Sequence, residues 1–454
     1  MNWNETRDSV TSRRNFEYQT EFQMNSSFFS DDFKAQPYWW DQTPRPVTKT
    51  DALPEKTDVL VIGSGYTGLH CALQTASAGR QTTVIDAEAA GWGCSTRNGG
   101  QISGEIKPDY DTLSRRYGSD RAYALIKEAR HALEWLGEFV DQQNIDCDYQ
   151  RCGRFLAAHS PRQFQGLVTY ARNQPRGLEQ NLQIVSAKDQ ASEIDSSYYH
   201  GGLVVERHCS LDPARYHSGL MHKVLRLGAQ VIGHCAAIAV ERSADGYKVV
   251  TSQGTILARE LVVATNGYTG EMTPWQRRRI IPIGSYMLAT EPMDQERASQ
   301  LMPRRRVFSD TRKIVVYFRL SPDGRSLLFG GRVSVFESDP VKSLPALRQE
   351  MLRIFPQLED VRISHTWMGF VGYTFDYLPH LGVQDGIHYA MGYCGSGICL
   401  ASYLGKQIGL QLLGKAEGYS AFNQPDFQTR PLYSGKPWFL SASVRYYQLR
   451  DRLG

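Results

Sequence analysis

Residues 57–86 read TDVLVIGSGYTGLHCALQTASAGRQTTVID. Val59-Leu60-Val61-Ile62 is an apolar, β-branched run of the kind that suits a strand buried on both faces. Gly63-Ser64-Gly65-Tyr66-Thr67-Gly68 follows without a break, and Leu69, Ala72, Leu73 and Ala76 then share one helical face. Gly79 stops the helix in a left-handed cap, and a second strand, Thr82–Ile85, ends on Asp86. Strand, glycine turn, helix, strand and terminal acid in that order form a β-α-β unit with the dinucleotide fingerprint. Gly63 permits the tight turn, Gly65 admits a pyrophosphate to the backbone, and Gly68 lets helix and strand pack closely. Tyr66 and Thr67 open the helix, where free N–H groups and the positive dipole end face the phosphates. Asp86, followed by Ala87, can accept both ribose hydroxyls and repels a 2′-phosphate.

Outward from this unit, 454 residues exceed one ordinary core, so two intertwined domains are expected. The chain carries 51 basic and 47 acidic residues, a net +4 that gives no reason to expect nucleic acid. The runs Arg277-Arg278-Arg279 and Arg304-Arg305-Arg306 read as solvated loop faces, with attraction of an anionic substrate as the sharper alternative. Eight scattered cysteines show no CxxC spacing and no nearby histidine cluster, so no metal site is expected and buried free thiols are. No apolar stretch approaches the roughly 20 residues of a membrane span, and the amino terminus has no signal core. A soluble cytoplasmic protein is expected.

Residues 1–50 are polar, with one aromatic knot at Tyr38-Trp39-Trp40; most of them are expected outside the core as an arm, the knot serving as an anchor onto the body or onto a second subunit. The stretch 91–101, GWGCSTRNGGQ, is too glycine-rich for a helix interior and suits a loop that lets a ligand approach the backbone. Residues 120–143 and 212–228 read as helices, the second capped by Asp212 with Pro213 at its first position. Residues 247–257 read as a hairpin around Gly254, and Glu260–Gly267 as a second buried parallel strand, with Ala264, Asn266 and Gly267 at its end. A block of strands over 281–335 suits a mixed sheet covering the ligand. Near the end, GYCGSGI at 392–398 is a second strand-to-helix turn, placed to aim a helix dipole at a ring oxygen.

The fingerprint GSGYTGLHCAL, the loop RNGGQ at 97–101, VVATNG in the middle, FPQL at 355–358, GYCGSGI and the closing YYQLRDRLG together resemble the flavin amine oxidases of the D-amino-acid oxidase/glycine oxidase superfamily. The resemblance is strongest to the bacterial gamma-glutamylputrescine oxidases and runs from about residue 38 to the end. It implies an α/β, two-domain fold: a Rossmann-type FAD-binding domain over 51–107, 201–280 and 373–420, interleaved with a mixed-sheet substrate domain over 108–200 and 281–372. Residues 1–50 are then an arm and 421–454 a carboxy-terminal extension. FAD is implied, with adenosine at Gly63–Asp86 and the ring near Arg97–Gln101 and Gly392–Gly397. The implied reaction is hydride transfer from the carbon beside an amine nitrogen, hydrolysis of the imine, and reoxidation by O2 to peroxide.

Cofactor contacts are expected from Gly63, Gly65, Tyr66, Thr67, Gly68, Asp86 and Ala87. The loop adds Gly93, Ser95, Thr96, Arg97, Asn98, Gly99, Gly100 and Gln101. Ala264, Asn266 and Gly267 contribute from the middle, and Gly392, Tyr393, Gly395, Ser396, Gly397 and Ile398 from the second turn. Trp367, Tyr317 and Tyr393 are candidates to wall the cavity, and Arg319 to grip a substrate carboxylate, each against a plain structural role. In the sarcosine-oxidase branch of the superfamily, a cysteine shortly before a T-x-D stretch bonds the flavin. Residues 367–376 contain no cysteine, so the resemblance implies FAD without a covalent link, with Cys394 and Cys399 as the alternative attachment points. The partners are a small amine and O2, and the chain is compatible with an oligomer. Two rival readings stand: a dehydrogenase that passes electrons to a quinone or protein, and a non-catalytic FAD-binding subunit.

Overall fold

The computed structural model describes residues 28–43, 52–333, 337–423 and 426–453. Lys56–Ile62 and Thr82–Ile85 pair in parallel, from Val59 opposite Thr82 to Ile62 opposite Ile85. The helix Tyr66–Ser77 lies between them, and Gly79 takes up φ 77° behind it. Gln230–Ile232 extends the sheet beyond Thr82–Ile85, and Gly254–Val263 flanks Lys56–Ile62 on the other side, both in parallel. Gly254–Val263 unites two expected features. Its first residues close an antiparallel hairpin with Gly246–Thr251, and its buried end is the apolar run beside Val59–Ile62. Where the hairpin partner stops, Ile387–Met391 pairs in parallel with Val262 and Val263. With Ala237–Ser243 and His380–Gln384 the sheet has eight strands. Ligands of such sheets bind outside the carboxyl ends of the parallel strands, and both glycine turns lie there.

A nine-stranded mixed sheet stands beside it, built mainly from Ile281–Thr290, Val307–Asp310, Val316–Leu320, Leu327–Gly331 and Ile363–Tyr373. Phe155, Phe308, Phe318 and Phe329 fill one face, with ring centroids 5.0–5.7 Å apart from strand to strand. Gly202–Val205 belongs to this sheet, between Arg154–Ala157 and Leu182–Val185. We therefore propose the two-domain division with one change: the strand at 202–205 goes with the substrate domain rather than with 201–280.

The amino-terminal arm departs from expectation. Phe29–Lys34 is an edge strand of the nine-stranded sheet, parallel to Ile363–Tyr373, and Tyr38 and Trp39 are buried. An aromatic residue that covers apolar surface stabilises by about 2 kcal/mol or more, which outweighs the polar composition around it. The anchoring role of the knot is as expected, while 1–27 and 44–51 lie outside the described residues.

The helix Gly397–Leu412 packs along Tyr66–Ser77 at two small residues. A Cβ on Gly405 would come within 2.3 Å of the Thr67 carbonyl oxygen, and one on Gly409 within 2.5 Å of Gln74 Cβ. The helix Pro213–Arg226 has the expected cap, Asp212 accepting the amides of Ala214 at 2.8 Å and Arg215 at 3.0 Å. All eight cysteines are free; six are buried, while Cys94 and Cys152 are half-buried. Among the described residues no helix is long and apolar enough to cross a membrane, and no group of side chains could hold a metal ion.

Candidate cofactor and substrate site

A cavity of about 1510 Å³ runs from the fingerprint turn to the nine-stranded sheet. At one end it is lined by Gly63, Gly65, Tyr66, Thr67, Asp86 and Ala87. A Cβ on Gly63 would meet the Ala264 carbonyl oxygen at 2.8 Å, and one on Gly65 the Ser95 hydroxyl at 2.9 Å. The helix Tyr66–Ser77 has no side-chain cap from its N-cap residue Gly65, so first-turn amides beyond Tyr66 can meet an anion, while Tyr66 N–H donates to Ser95 Oγ at 3.1 Å. Asp86 closes the turn from below, accepting the Ser64 amide (2.8 Å) and hydroxyl (2.6 Å). His217, not anticipated from sequence, donates Nε2–H to the Ser64 carbonyl at 2.7 Å; burial lowers its pKa and keeps it neutral. Gly68 is not on the wall but beneath it, against Gly63 and Val61.

The second turn presents Tyr393, Gly395, Ser396, Gly397 and Ile398, at the head of another helix without a side-chain cap. Tyr393 hydroxyl bonds Thr67 Oγ1 at 2.6 Å, which ties the two turns together. Gly392 and Gly267 frame this end without lining it: Asn266, at φ 42°, accepts the Gly392 amide at 2.8 Å, and Gly267 packs on the backbone of Phe370. Ala264 and Asn266 do line the cavity.

Between the two turns runs the loop 91–101. Gly93, Ser95, Arg97, Asn98, Gly99 and Gln101 line the cavity, whereas Thr96 and Gly100 face the protein. Three indole N–H groups hold its backbone and side chains: Trp39 on Asn98 O (2.9 Å), Trp40 on Thr96 Oγ1 (2.9 Å) and Trp367 on Arg97 O (2.8 Å). Gln101 donates to the carbonyls of Phe308 and Phe318, fixing the loop to the nine-stranded sheet. Arg97 donates to Trp92 O and Met368 O and lies over the Trp40 and Trp92 rings, which braces the loop.

Two of the four candidate catalytic residues are corrected. Trp367 is buried, held as the loop brace just described, and does not wall the cavity. Arg319 is buried too, its guanidinium donating to the carbonyls of Leu320, Gly100 and Leu211. Backbone carbonyls hold its Nε and Nη1, and it is not among the residues that line the cavity. Nor do Arg277–Arg279 meet a substrate; they pair with Glu271 and hold the carbonyls of Tyr433 and Phe427 in the carboxy-terminal extension. Tyr317 and Tyr393 do reach the cavity; Tyr317 shares a hydrogen bond of 2.9 Å with Ser285, and burial pushes its pKa up to about 12.

Sequence reasoning missed Arg332, which lines the cavity with a nearly buried side chain. Nη1 donates to Gly284 O (2.9 Å) and Glu337 Oε1 (2.8 Å), but Nε and Nη2 are buried and have no hydrogen-bond partner among the described residues. Such donors cost about 1–3 kcal/mol each until something accepts from them. It also missed Glu105, Lys107, Arg154 and His208, a charged group on the wall. Burial opposes ionisation of Glu105, but Arg154, 2.9 Å away, and His208 hold its carboxyl well below the usual range. Glu105 and Lys107 follow the GGQ loop closely in sequence, whereas nothing local marks Arg154 and His208.

Two uncapped helix ends, a bare glycine cradle and a carboxylate at the end of the second strand fit FAD. Gly63, Gly65 and the first amides of Tyr66–Ser77 would hold its pyrophosphate, Asp86 a ribose, and the 395–398 turn the ring. Asp86→Ala is expected to raise the dissociation constant for FAD by at least about tenfold, read by flavin fluorescence on dilution, with the circular dichroism spectrum retained. The flavin should also pass into the supernatant on acid precipitation, since burial pushes Cys94 and Cys394 up to about 11 and keeps both thiols protonated. Colourless protein that binds NADP tightly, or flavin mass on the peptide, would contradict these expectations.

Comparison with known proteins agrees with the site. The profile of the DAO family, FAD dependent oxidoreductase, matches residues 58–409. The chain is 32% identical over 403 residues to gamma-glutamylputrescine oxidoreductase of Escherichia coli (strain K12), covering 87% of this chain and 93% of that protein. It is 21% identical to the glycine oxidase of Bacillus licheniformis over 81% of this chain and 97% of that one. Among solved structures, glycine oxidase from Geobacillus kaustophilus superposes with a TM-score of 0.68 at 16% identity, over 83% of this chain and 99% of that one. L-proline dehydrogenase from P. horikoshii gives 0.67 at 17%, over 86% and 99%. The chain belongs to the DAO family of FAD-dependent oxidoreductases.

Proposed function

We propose that this enzyme oxidises the C–N bond of an amine that carries a carboxylate, a gamma-glutamylputrescine-like compound, and that O2 takes the electrons. The observation that carries the reading is Arg332: a cavity arginine with two buried donors unsatisfied among the described residues. Planar, paired donors of this kind match a carboxylate. The E. coli relative's name supports the amine. Flavin, when bound, accepts the hydride from the carbon next to the amine nitrogen.

The chain's own groups do the rest. Arg332 fixes the carboxylate and so the direction in which the substrate lies. Tyr317, held by Ser285, and the aromatic rings of Phe370 and Tyr373 line the cavity and limit water at the reacting carbon. Hydride loss needs the nitrogen lone pair, so the neutral amine reacts and the rate rises with pH as the substrate loses its proton. Glu105 is bound up with Arg154 and His208, so we assign it no role as a base. Assembly with further copies and a cytoplasmic location are both consistent with this reading.

Turnover under air should release about one H2O2 per amine oxidised, read by a peroxidase-coupled assay in the same cuvette as the aldehyde or keto product. Product formation that needs an added quinone, with no peroxide, would point to a dehydrogenase instead.

A further inference from the structure

The helix Leu440–Leu453 lies beyond the segment matched by the family, which ends at residue 409, yet it builds part of the same cavity. Phe439, Val444 and Tyr447 line the cavity beside Tyr373, Phe375 and Tyr377. Leu440 and Val444 are turned inward, while Tyr446 and Leu449 stay exposed. The helix is clipped in place at its far end. Asp451 accepts the backbone amides of Lys313 and Ile314, one on each carboxylate oxygen and each at 2.9 Å. Those two residues belong to the turn between Val307–Asp310 and Val316–Leu320, which also lines the cavity. At its near end Phe439 and Tyr433 lie 5.9 Å apart, Phe375 packs on Tyr433 at 5.2 Å, and the Tyr433 hydroxyl donates to Ile280 O at 2.6 Å.

We propose that this helix is the specificity wall of the site: Tyr447 packs on the methylene chain of an elongated amine, and the Asp451 clip holds that wall at the right distance. The inference rests on the amine-oxidation reading above. Aromatic rings set side by side suit an apolar chain, and a substrate with no chain leaves them uncovered. A helix that lines the cavity but takes no part in the glycine turns can change which amine fits without altering the cofactor cradle.

The test compares Tyr447→Ala and Asp451→Ala with the wild-type holoenzyme, using a gamma-glutamylated four-carbon diamine and glycine as probes. Dissociation constants come from perturbation of the oxidised flavin spectrum, and hydrogen exchange follows the amides of Lys313 and Ile314. Asp451→Ala should speed exchange at those two amides by at least about tenfold, and Tyr447→Ala should leave it unchanged. Both variants should weaken the diamine by about tenfold, in KM as in Kd, with the limiting rate of flavin reduction within about twofold and glycine unaffected. Unchanged exchange in Asp451→Ala, or equal weakening of glycine and diamine, overturns the wall. The exchange and binding readouts need no turnover, so a wild-type flavin that no amine reduces counts against amine oxidation and leaves the wall to be judged on its own.

Discussion

Gly68→Ala is expected to give a colourless, poorly folded protein. The added Cβ would lie 1.9 Å from the Gly63 carbonyl oxygen and 3.1 Å from Val61 Cγ1. The first of these is backbone in the turn that binds phosphate, so it cannot rotate aside. The helix must move off the strand or the turn must open, at a cost of roughly 3 kcal/mol or more, and either change spoils the cradle. Gly166→Ala is the matched control. It sits inside the helix Pro161–Arg172 with no atom within 4 Å of the new Cβ, and should stabilise by about 0.5–1 kcal/mol while keeping its flavin. Yellow, fully loaded Gly68→Ala protein with wild-type melting would contradict the placement of the dinucleotide.

Arg332→Gln should raise KM for a carboxylate-bearing amine by roughly 100-fold, the equivalent of about 3 kcal/mol, while the limiting rate of flavin reduction changes little. The loss is large because the guanidinium is nearly buried and its Nε and Nη2 have no hydrogen-bond partner among the described residues. Arg319→Gln should behave differently. Its donors hold Gly100 O and Leu211 O, so its removal should loosen the 97–101 loop and lower flavin occupancy for every substrate alike. Equal reaction of Arg332→Gln with amines that have or lack a carboxylate would remove arginine from substrate recognition.

The contrast between these two arginines shows where legibility ends. Fold and cofactor cradle were readable because they depend on local chemistry: a β-branched strand, three glycines at fixed offsets and an acid at the next strand's end lie within one short segment. Substrate contacts are assembled from distant strands, and an arginine's sequence neighbourhood does not say which side of the sheet it faces. Arg319 and Arg332 both sit on or just past strands of one sheet, yet one is sealed among carbonyls and the other opens to the cavity. Trp367 misled in the same way: its indole N–H went to Arg97 O, a pairing across the chain that no local pattern encodes. The arm was legible only in part. Its polar composition hid the edge strand Phe29–Lys34, whereas the aromatic knot marked the anchor, and Trp39 is buried with its indole N–H on Asn98 O.

Anaerobic titration of the purified holoenzyme with a gamma-glutamylated diamine, following the flavin absorbance, decides whether the protein oxidises amines. Amine oxidation predicts full bleaching of the oxidised flavin band at about one equivalent, faster at higher pH, with an aldehyde or keto product formed in the same amount. A flavin that stays oxidised with this diamine and with simpler amines and amino acids would contradict it and leave a flavoprotein whose cavity serves another purpose.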